Sequence, residues 1–322
     1  MRAKIFSLTF FMLVSIVSMA QVVKSTYIYS IKGNDTLRLD RYAIINGSDK
    51  LVKPCIIFMF GGGFVGGSRD WEGYLSYFKK IAEKGYAVFS IDYRLGLKPL
   101  LGRLQKGEKI AKTEYPHLFE NAINVAVEDL YDATDFILSK ADEWKVDPAR
   151  IIINGSSAGA VSVLQAEYYL CSGNKRIRKL PGEFRYAGVI SFAGAILSTS
   201  ETLCWNKQPC PILLFHGDAD NRVPYDKVSF FRYCFFGSKS LTEEFDKLKN
   251  PYYFYDVENA AHEISESPMR TNIVEIEEFL SQFVDKQQPV VIHKQVRSLD
   301  KPVLNKKFCI DDYINANFRP VN

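Results

Sequence analysis

The 322-residue chain is short of several things. It has only six cysteines, too few for a fold built on disulfides. No CxxC pair and no Cys/His ligand spacing occurs, so a zinc site is not expected. Charge of one sign is also scarce. Lys and Arg total 41 against 37 Asp and Glu, a net of +4, which gives no case for nucleic acid. After residue 20 no apolar run is long enough to cross a membrane. Repeats, low-complexity stretches and a convincing interdomain linker are all missing. At 47% hydrophobic and 24% charged, the chain is too apolar for a disordered protein and can bury a sizeable core.

What is present begins with an export pattern. Arg2 and Lys4 form a basic start, Ile5 to Val17 is mostly apolar, and Ser18-Met19-Ala20 is a small-x-small site before Gln21. This is the layout of a cleaved signal peptide over residues 1–20, with an uncleaved anchor or an N-terminal core helix as the alternatives. The expectation is a secreted or periplasmic protein starting after Ala20, with two of the four net positive charges removed with the segment. Export permits disulfides. Cys204 and Cys210 are near neighbours and form a possible local bridge. Cys55, in an apolar strand, reads as a buried free thiol. The spacing says nothing of partners for Cys171, Cys234 and Cys309.

Further on, strands alternate with helices. Leu37 to Ile45 reads as a strand, with Tyr27 to Ile31 as its partner. Cys55 to Phe60 is continuously apolar, as in a strand covered on both faces. Trp71, Tyr74, Leu75, Phe78, Ile81 and Ala82 recur at helical spacing, and Gly85 ends that helix. Tyr86–Ile91, Ile151–Ile153, Ala187–Phe192, Pro211–Phe215 and Tyr252–Val257 read as further strands. Helices are expected around Ile123–Ile137, over Ala158–Leu170, and from Ser267-Pro268 to Phe283. The pattern predicts an α/β fold with a mostly parallel central sheet and helices on both faces. One domain is expected over residues 21–285, with insertions near 96–118 and 196–209. Residues 286–322 form an extension packed on the domain or trailing from it.

Three stretches converge on one chemistry. Gly155-Ser156-Ser157-Ala158-Gly159 follows a strand and opens a helix, as a nucleophile elbow requires. Only Ser157 has glycine at both −2 and +2, which places it ahead of Ser156. Phe60-Gly61-Gly62-Gly63-Phe64 follows a buried strand, and its glycines let backbone N–H groups approach a developing oxyanion. A phosphate loop is disfavoured because no G-K-[ST] ending follows. His216-Gly217-Asp218-Ala219-Asp220 and Asn259-Ala260-Ala261-His262-Glu263 each end a strand. Only four histidines exist. His262 is the best-placed base, His216 reads as structural, His117 lies in an insertion and His293 in the extension. Asp220 is the favoured acid, with Asp218 and then Glu258 as rivals. A serine hydroxyl needs a base, and the base a carboxylate. The order Ser157, Asp220, His262 suits this arrangement.

Taken together, FGGGFVGG (60–67), SIDYRLG (90–96), VDPARIIINGSSAGA (146–160), LFHGDADNRVP (214–224) and AAHE (260–263) resemble the α/β-hydrolase fold. Within it they resemble esterases of the hormone-sensitive-lipase and carboxylesterase-like type, over residues 50–285. The resemblance implies a Ser157–His262–Asp220 triad, an oxyanion hole made by the N–H groups of Gly62, Gly63 and Ala158, and no cofactor. Three positions depart from the family pattern: Phe60 for histidine, Ser156 for an acidic residue and Ala160 for glycine. The resemblance further implies a serine esterase acting on a small ester or an esterified oligosaccharide. Exported relatives of this type remove acetyl or feruloyl groups from plant polysaccharide. A prolyl-oligopeptidase-type exopeptidase, a lipase and a non-catalytic binding module are the alternatives. Sugar stacking by the aromatics of 230–236 and 252–255 is weighed against a core role, which is favoured. The basic residues of 96–118 are read as a solvated loop rather than a lid for acidic substrates, and Leu95, Leu97, Leu100 and Leu101 as candidates to line an acyl pocket.

Overall fold

A computed structural model describes residues 21–44, 51–174, 180–300, 302–309 and 311. The expected export segment, residues 1–20, lies outside the described residues. Along the chain the strands are β1 (Val22–Lys32), β2 (Asp35–Ile44), β3 (Lys53–Met59), β4 (Ala87–Ile91), β5 (Val146–Ser156), β6 (Gly188–Phe192), β7 (Ala195–Ser198), β8 (Ile212–Gly217), β9 (Lys227–Phe230), β10 (Tyr233–Gly237), β11 (Tyr252–Glu258) and β12 (Val291–Arg297). The helices are α1 (Glu72–Glu83), α2 (Lys98–Gln105), α3 (Tyr115–Ser139), α4 (Ala141–Trp144), α5 (Ala158–Ser172), α6 (Ser238–Leu248), α7 (Pro268–Thr271) and α8 (Ile273–Phe279).

Nine strands form one sheet in the order β1-β2-β4-β3-β5-β6-β8-β11-β12. From β4 to β12 every neighbouring pair is parallel; β2 pairs antiparallel with both β1 and β4, so it alone runs against the other strands. The continuous apolar runs are explained by layers on both faces. On one face Phe58 meets Tyr74, Tyr77 and Phe78 of α1 edge-on. Tyr77 reaches across to Asn154, donating from its hydroxyl to Oδ1 at 2.9 Å. The other face carries α5, against which α3 packs.

Four features add to the sequence expectation or depart from it. The C-terminal extension is part of the fold: Val291–Arg297 adds the edge strand β12 beside β11. Its alternating polar residues, with Lys294 and Arg297 among them, suit an edge exposed to water. The last helical stretch is broken at Asn272 into α7 and α8, followed by a π-turn over Leu280–Asp285. The aromatic run at 230–236 forms the hairpin β9–β10, which with β7 makes a separate three-stranded antiparallel sheet. Cys204 and Cys210 are not bridged. Cys204 is exposed, with Sγ 3.6 Å from Asn206 Oδ1, while Cys210 is buried with its N–H on Glu167 Oε1.

Candidate active site

Every residue singled out for chemistry sits at the C-terminal end of a parallel strand. Gly61–Gly63 follow β3, Ser157 follows β5, Asp220 follows β8 and His262 follows β11. Ligands bind at this edge in open α/β sheets, because the loops there are free to vary while the strands hold their bases in register.

Ser157 has φ 52° and ψ −116°, a conformation costly for a residue with a side chain. It is held there by its N–H on Phe192 O at 2.9 Å and by the first helical bond, Val161 N–H to Ser157 O at 2.9 Å. The flanking glycines are obligatory for steric reasons. A Cβ on Gly155 would stand 2.3 Å from the carbonyl of Gly159, and one on Gly159 would stand 2.2 Å from Met59 O. Backbone cannot yield as a side-chain tip can. Gly159→Ala is therefore expected to cost about 3 kcal/mol of stability, read as a lower urea midpoint at unchanged slope. An unchanged midpoint would contradict the close approach of β3 to α5.

The turn after β11 brings His262 to the serine. Ser157 Oγ lies 2.8 Å from His262 Nε2, and His262 Nδ1 lies 2.7 Å from Asp220 Oδ2. Since Asp220 accepts, the network assigns the proton to Nδ1 and leaves Nε2 free to take one from the serine. Asp220 is almost wholly buried. Burial would raise its pKa, but hydrogen bonds from His216 and His262 outweigh this and hold it well below the usual carboxylate range. Its other oxygen, Oδ1, accepts the N–H groups of Arg222 at 2.8 Å and Val223 at 3.0 Å.

His216, read from sequence as structural, touches this assembly directly. Its Nε2 is 3.2 Å from Val223 O and 3.4 Å from Asp220 Oδ2, and its Nδ1 is 2.8 Å from Ser238 Oγ. Both neighbours of Nε2 are acceptors, so Nε2 carries a proton and helps to hold the carboxylate. The rivals are engaged elsewhere. Ser156 turns away and donates to Ser265 O at 2.8 Å. Asp218 accepts from Asn259 N at 2.7 Å and pairs with Lys306 at 2.6 Å. Glu258 lies 3.5 Å from Lys306 and 3.8 Å from Arg297. His117 is exposed, and His293 stacks on Phe254 in β11.

The glycine loop folds back tightly beside Ser157. Gly62 (φ 131°) accepts from Val65 and Gly66, and a Cβ there would lie 2.2 Å from Gly66 O. Phe60, which replaces the family's usual histidine, stacks on Tyr93 at 4.4 Å, and Tyr93 donates its hydroxyl to Phe60 O at 2.8 Å. Ala158 is the first residue of α5, where backbone N–H groups have no helical acceptor and the helix dipole favours negative charge.

Two clefts meet at Ser157. One, of about 480 Å³, contains His262, Gly61–Gly63, Trp71, Ser68 and Glu266. The other, of about 30 Å³, is walled by apolar side chains that include Phe119, Ile123, Phe230 and Phe235. Arg222 lines both. Leu95, Leu97, Leu100 and Leu101 line neither cleft; Leu97 and Leu100 are buried in the core. No basic residue of 96–118 lines either cleft, and Arg103 pairs with Glu108 and Glu114. Sequence reading passed over Trp71, Glu266, Arg222 and Phe308. Of these only Trp71 left a local signal, in Trp71-Glu72-Gly73: a Cβ on Gly73 would come within 2.5 Å of the indole.

The BD-FAE family profile matches residues 39–197, from β2 through β7. Gut esterase 1 of Caenorhabditis elegans is 32% identical over 136 residues, covering 42% of this chain and 21% of that protein. Isoprenylcysteine alpha-carbonyl methylesterase ICME of Arabidopsis thaliana is 25% identical over 233 residues, 60% of this chain and 48% of that one. Secreted lipase 1 of Botryotinia fuckeliana is 24% identical over 65% of this chain and 32% of its own length. The chain thus spans between about a fifth and a half of these relatives. Among solved structures, Thermogutta terrifontis esterase 2 phosphoramylated by tabun superposes with a TM-score of 0.58 at 20% identity, covering 81% of this chain and 94% of that chain. With its mostly parallel sheet and its superposition on that esterase, the chain has the α/β-hydrolase fold.

Proposed function

We propose that this chain is a secreted or periplasmic serine ester hydrolase that works through an acyl-enzyme and removes short acyl groups, acetyl above all, from a sugar-sized alcohol. The observation that carries the reading is the unbroken line Ser157 Oγ, His262 Nε2, His262 Nδ1, Asp220 Oδ2, with links of 2.8 and 2.7 Å. Esterase names among the relatives support the reaction class, and the lipase named as secreted supports export.

In this mechanism Ser157 Oγ attacks the ester carbonyl carbon and its proton passes to His262 Nε2. Asp220 stabilises the imidazolium. The carbonyl oxygen becomes an oxyanion received by the N–H groups of Gly62, Gly63 and Ala158. The C–O bond to the alcohol then breaks, and His262 returns the proton to the departing oxygen. Water attacks the acyl-enzyme with His262 again as base, releasing the carboxylic acid and free Ser157.

Because His262 must protonate the leaving oxygen, the alcohol lies on the His262 side, in the larger cleft. The acyl group then faces the small apolar one. The acyl-side cavity, about 30 Å³ against about 480 Å³ for the other cleft, leaves much the smaller room and suits a short acyl group. This favours acetyl over feruloyl and disfavours a long-chain lipase. The alcohol cleft holds Trp71, 44% exposed, with the carboxylate of Glu266 and the hydroxyl of Ser68, which suits the apolar face and hydroxyl rim of a sugar. Trp71→Ala is expected to lower kcat/KM for acetylated xylo-oligosaccharides about tenfold more than for ethyl acetate. Equal losses on the two substrates would remove the indole from sugar recognition.

A further inference from the structure

Part of the lining of the acyl-side cavity comes from a segment beyond the last helix. Residues 302–309 return from β12 over the edge of the sheet that carries the site. Asn259, three residues before His262 and in a left-handed conformation (φ 56°), grips this segment twice. Its Nδ2 donates to Pro302 O at 2.6 Å, and its Oδ1 accepts the N–H of Leu304 at 2.6 Å. Lys306 then binds Asp218 Oδ2 at 2.6 Å and lies 3.5 Å from Glu258 Oε1. These are the two carboxylates that rivalled Asp220 in the sequence, and here they anchor the C-terminal segment. Farther along, Asp311 pairs with Lys112 at 2.6 Å. Between the anchors, Phe308 lines the cavity beside Ser157 together with Phe119 and Ile123 of α3 and Phe230 and Phe235 of the hairpin. Of residues 302–309, Phe308 alone is not exposed.

We propose that Phe308 is a specificity-determining residue: it forms the end wall of the acyl pocket and confines the acyl group to short chains. The proposal rests on the ester-hydrolase reading. The segment is tied to the turns that carry His262 and Asp220, so the wall is placed by the same loops that place the reacting groups. Each acyl methylene that finds apolar burial gains a few-fold in binding. Opening the pocket therefore shifts preference along a homologous series rather than changing one rate.

The test is a p-nitrophenyl ester series from acetate to octanoate, run on the full chain and on Phe308→Ala and Phe308→Trp. Phe308→Ala is expected to raise the octanoate-to-acetate ratio of kcat/KM by about tenfold or more, and Phe308→Trp to lower the butyrate-to-acetate ratio. Shifts in opposite directions cannot come from general loosening of the fold. Ratios that stay within about twofold in both variants, or that move the same way, overturn the wall while leaving the ester hydrolase standing. If the unaltered chain cleaves none of the series and Ser157 is not labelled by an ethyl fluorophosphonate, the ester reading falls and this proposal with it.

Discussion

Ser157→Ala is expected to lower kcat/KM for p-nitrophenyl acetate by about six orders of magnitude, leaving only the roughly 10³-fold acceleration over water that oxyanion donors and binding supply. The loss should be nearly total because the three groups act as one unit. Without Oγ, His262 Nε2 has no proton to take, and Asp220 has no imidazolium to stabilise. Fluorophosphonate labelling offers a second reading of the same change. It should vanish in Ser157→Ala and persist in Ser156→Ala, since Ser156 Oγ is committed to Ser265 O. Retained hydrolysis in Ser157→Ala, or lost labelling in Ser156→Ala with the fold intact, would move the nucleophile to the neighbouring serine.

Asp220→Asn should cost about 10⁴ in kcat, and the structure supplies the reason. The N–H groups of Arg222 and Val223 both point at Oδ1, so the new amide will seat its oxygen there. Its NH₂ then faces His262 Nδ1. That nitrogen must become the acceptor, the proton moves to Nε2, and the imidazole can no longer receive the serine's proton. The variant should also change acid stability. Asp220's pKa is depressed in the folded state, so its charge stabilises the fold above about pH 4 and the contribution is lost as pH falls toward the folded value. Asp220→Asn should therefore be less stable at neutral pH and lose less stability on acidification below about pH 4, followed by urea unfolding at several pH values. A parallel decline in both proteins would mean the carboxylate is not preferentially ionised in the folded state.

How much could be read in advance depended on how local each feature is. The elbow was legible because strand, tight turn and helix are contiguous, and because Gly155 and Gly159 must be small for backbone to pass within 2.3 Å of their missing side chains. Asp220 and His262 were legible as strand-end residues, since apolar runs mark where strands stop. The choice of Asp220 over Asp218 was not a local matter, because both end the same strand. The fold directs Asp220 to two backbone donors and His262, and Asp218 to Asn259 and Lys306. Leu97 and Leu100 were plausible pocket residues by composition but turned into the core, since burial direction on a short helix depends on what packs against it.

The amino-acid order alone determined the sheet's apolar strands, the glycine-bounded serine and the sequence of serine, acid and base, because each is written in neighbouring residues through steric size and hydrophobic period. Only the tertiary structure decided what surrounds the serine. Trp71 comes from the start of α1, Glu266 from the turn after His262, Phe230 and Phe235 from a separate sheet, and Phe308 from beyond β12. These residues are distant in sequence and share no period, so nothing short of the folded chain brings them together around one hydroxyl.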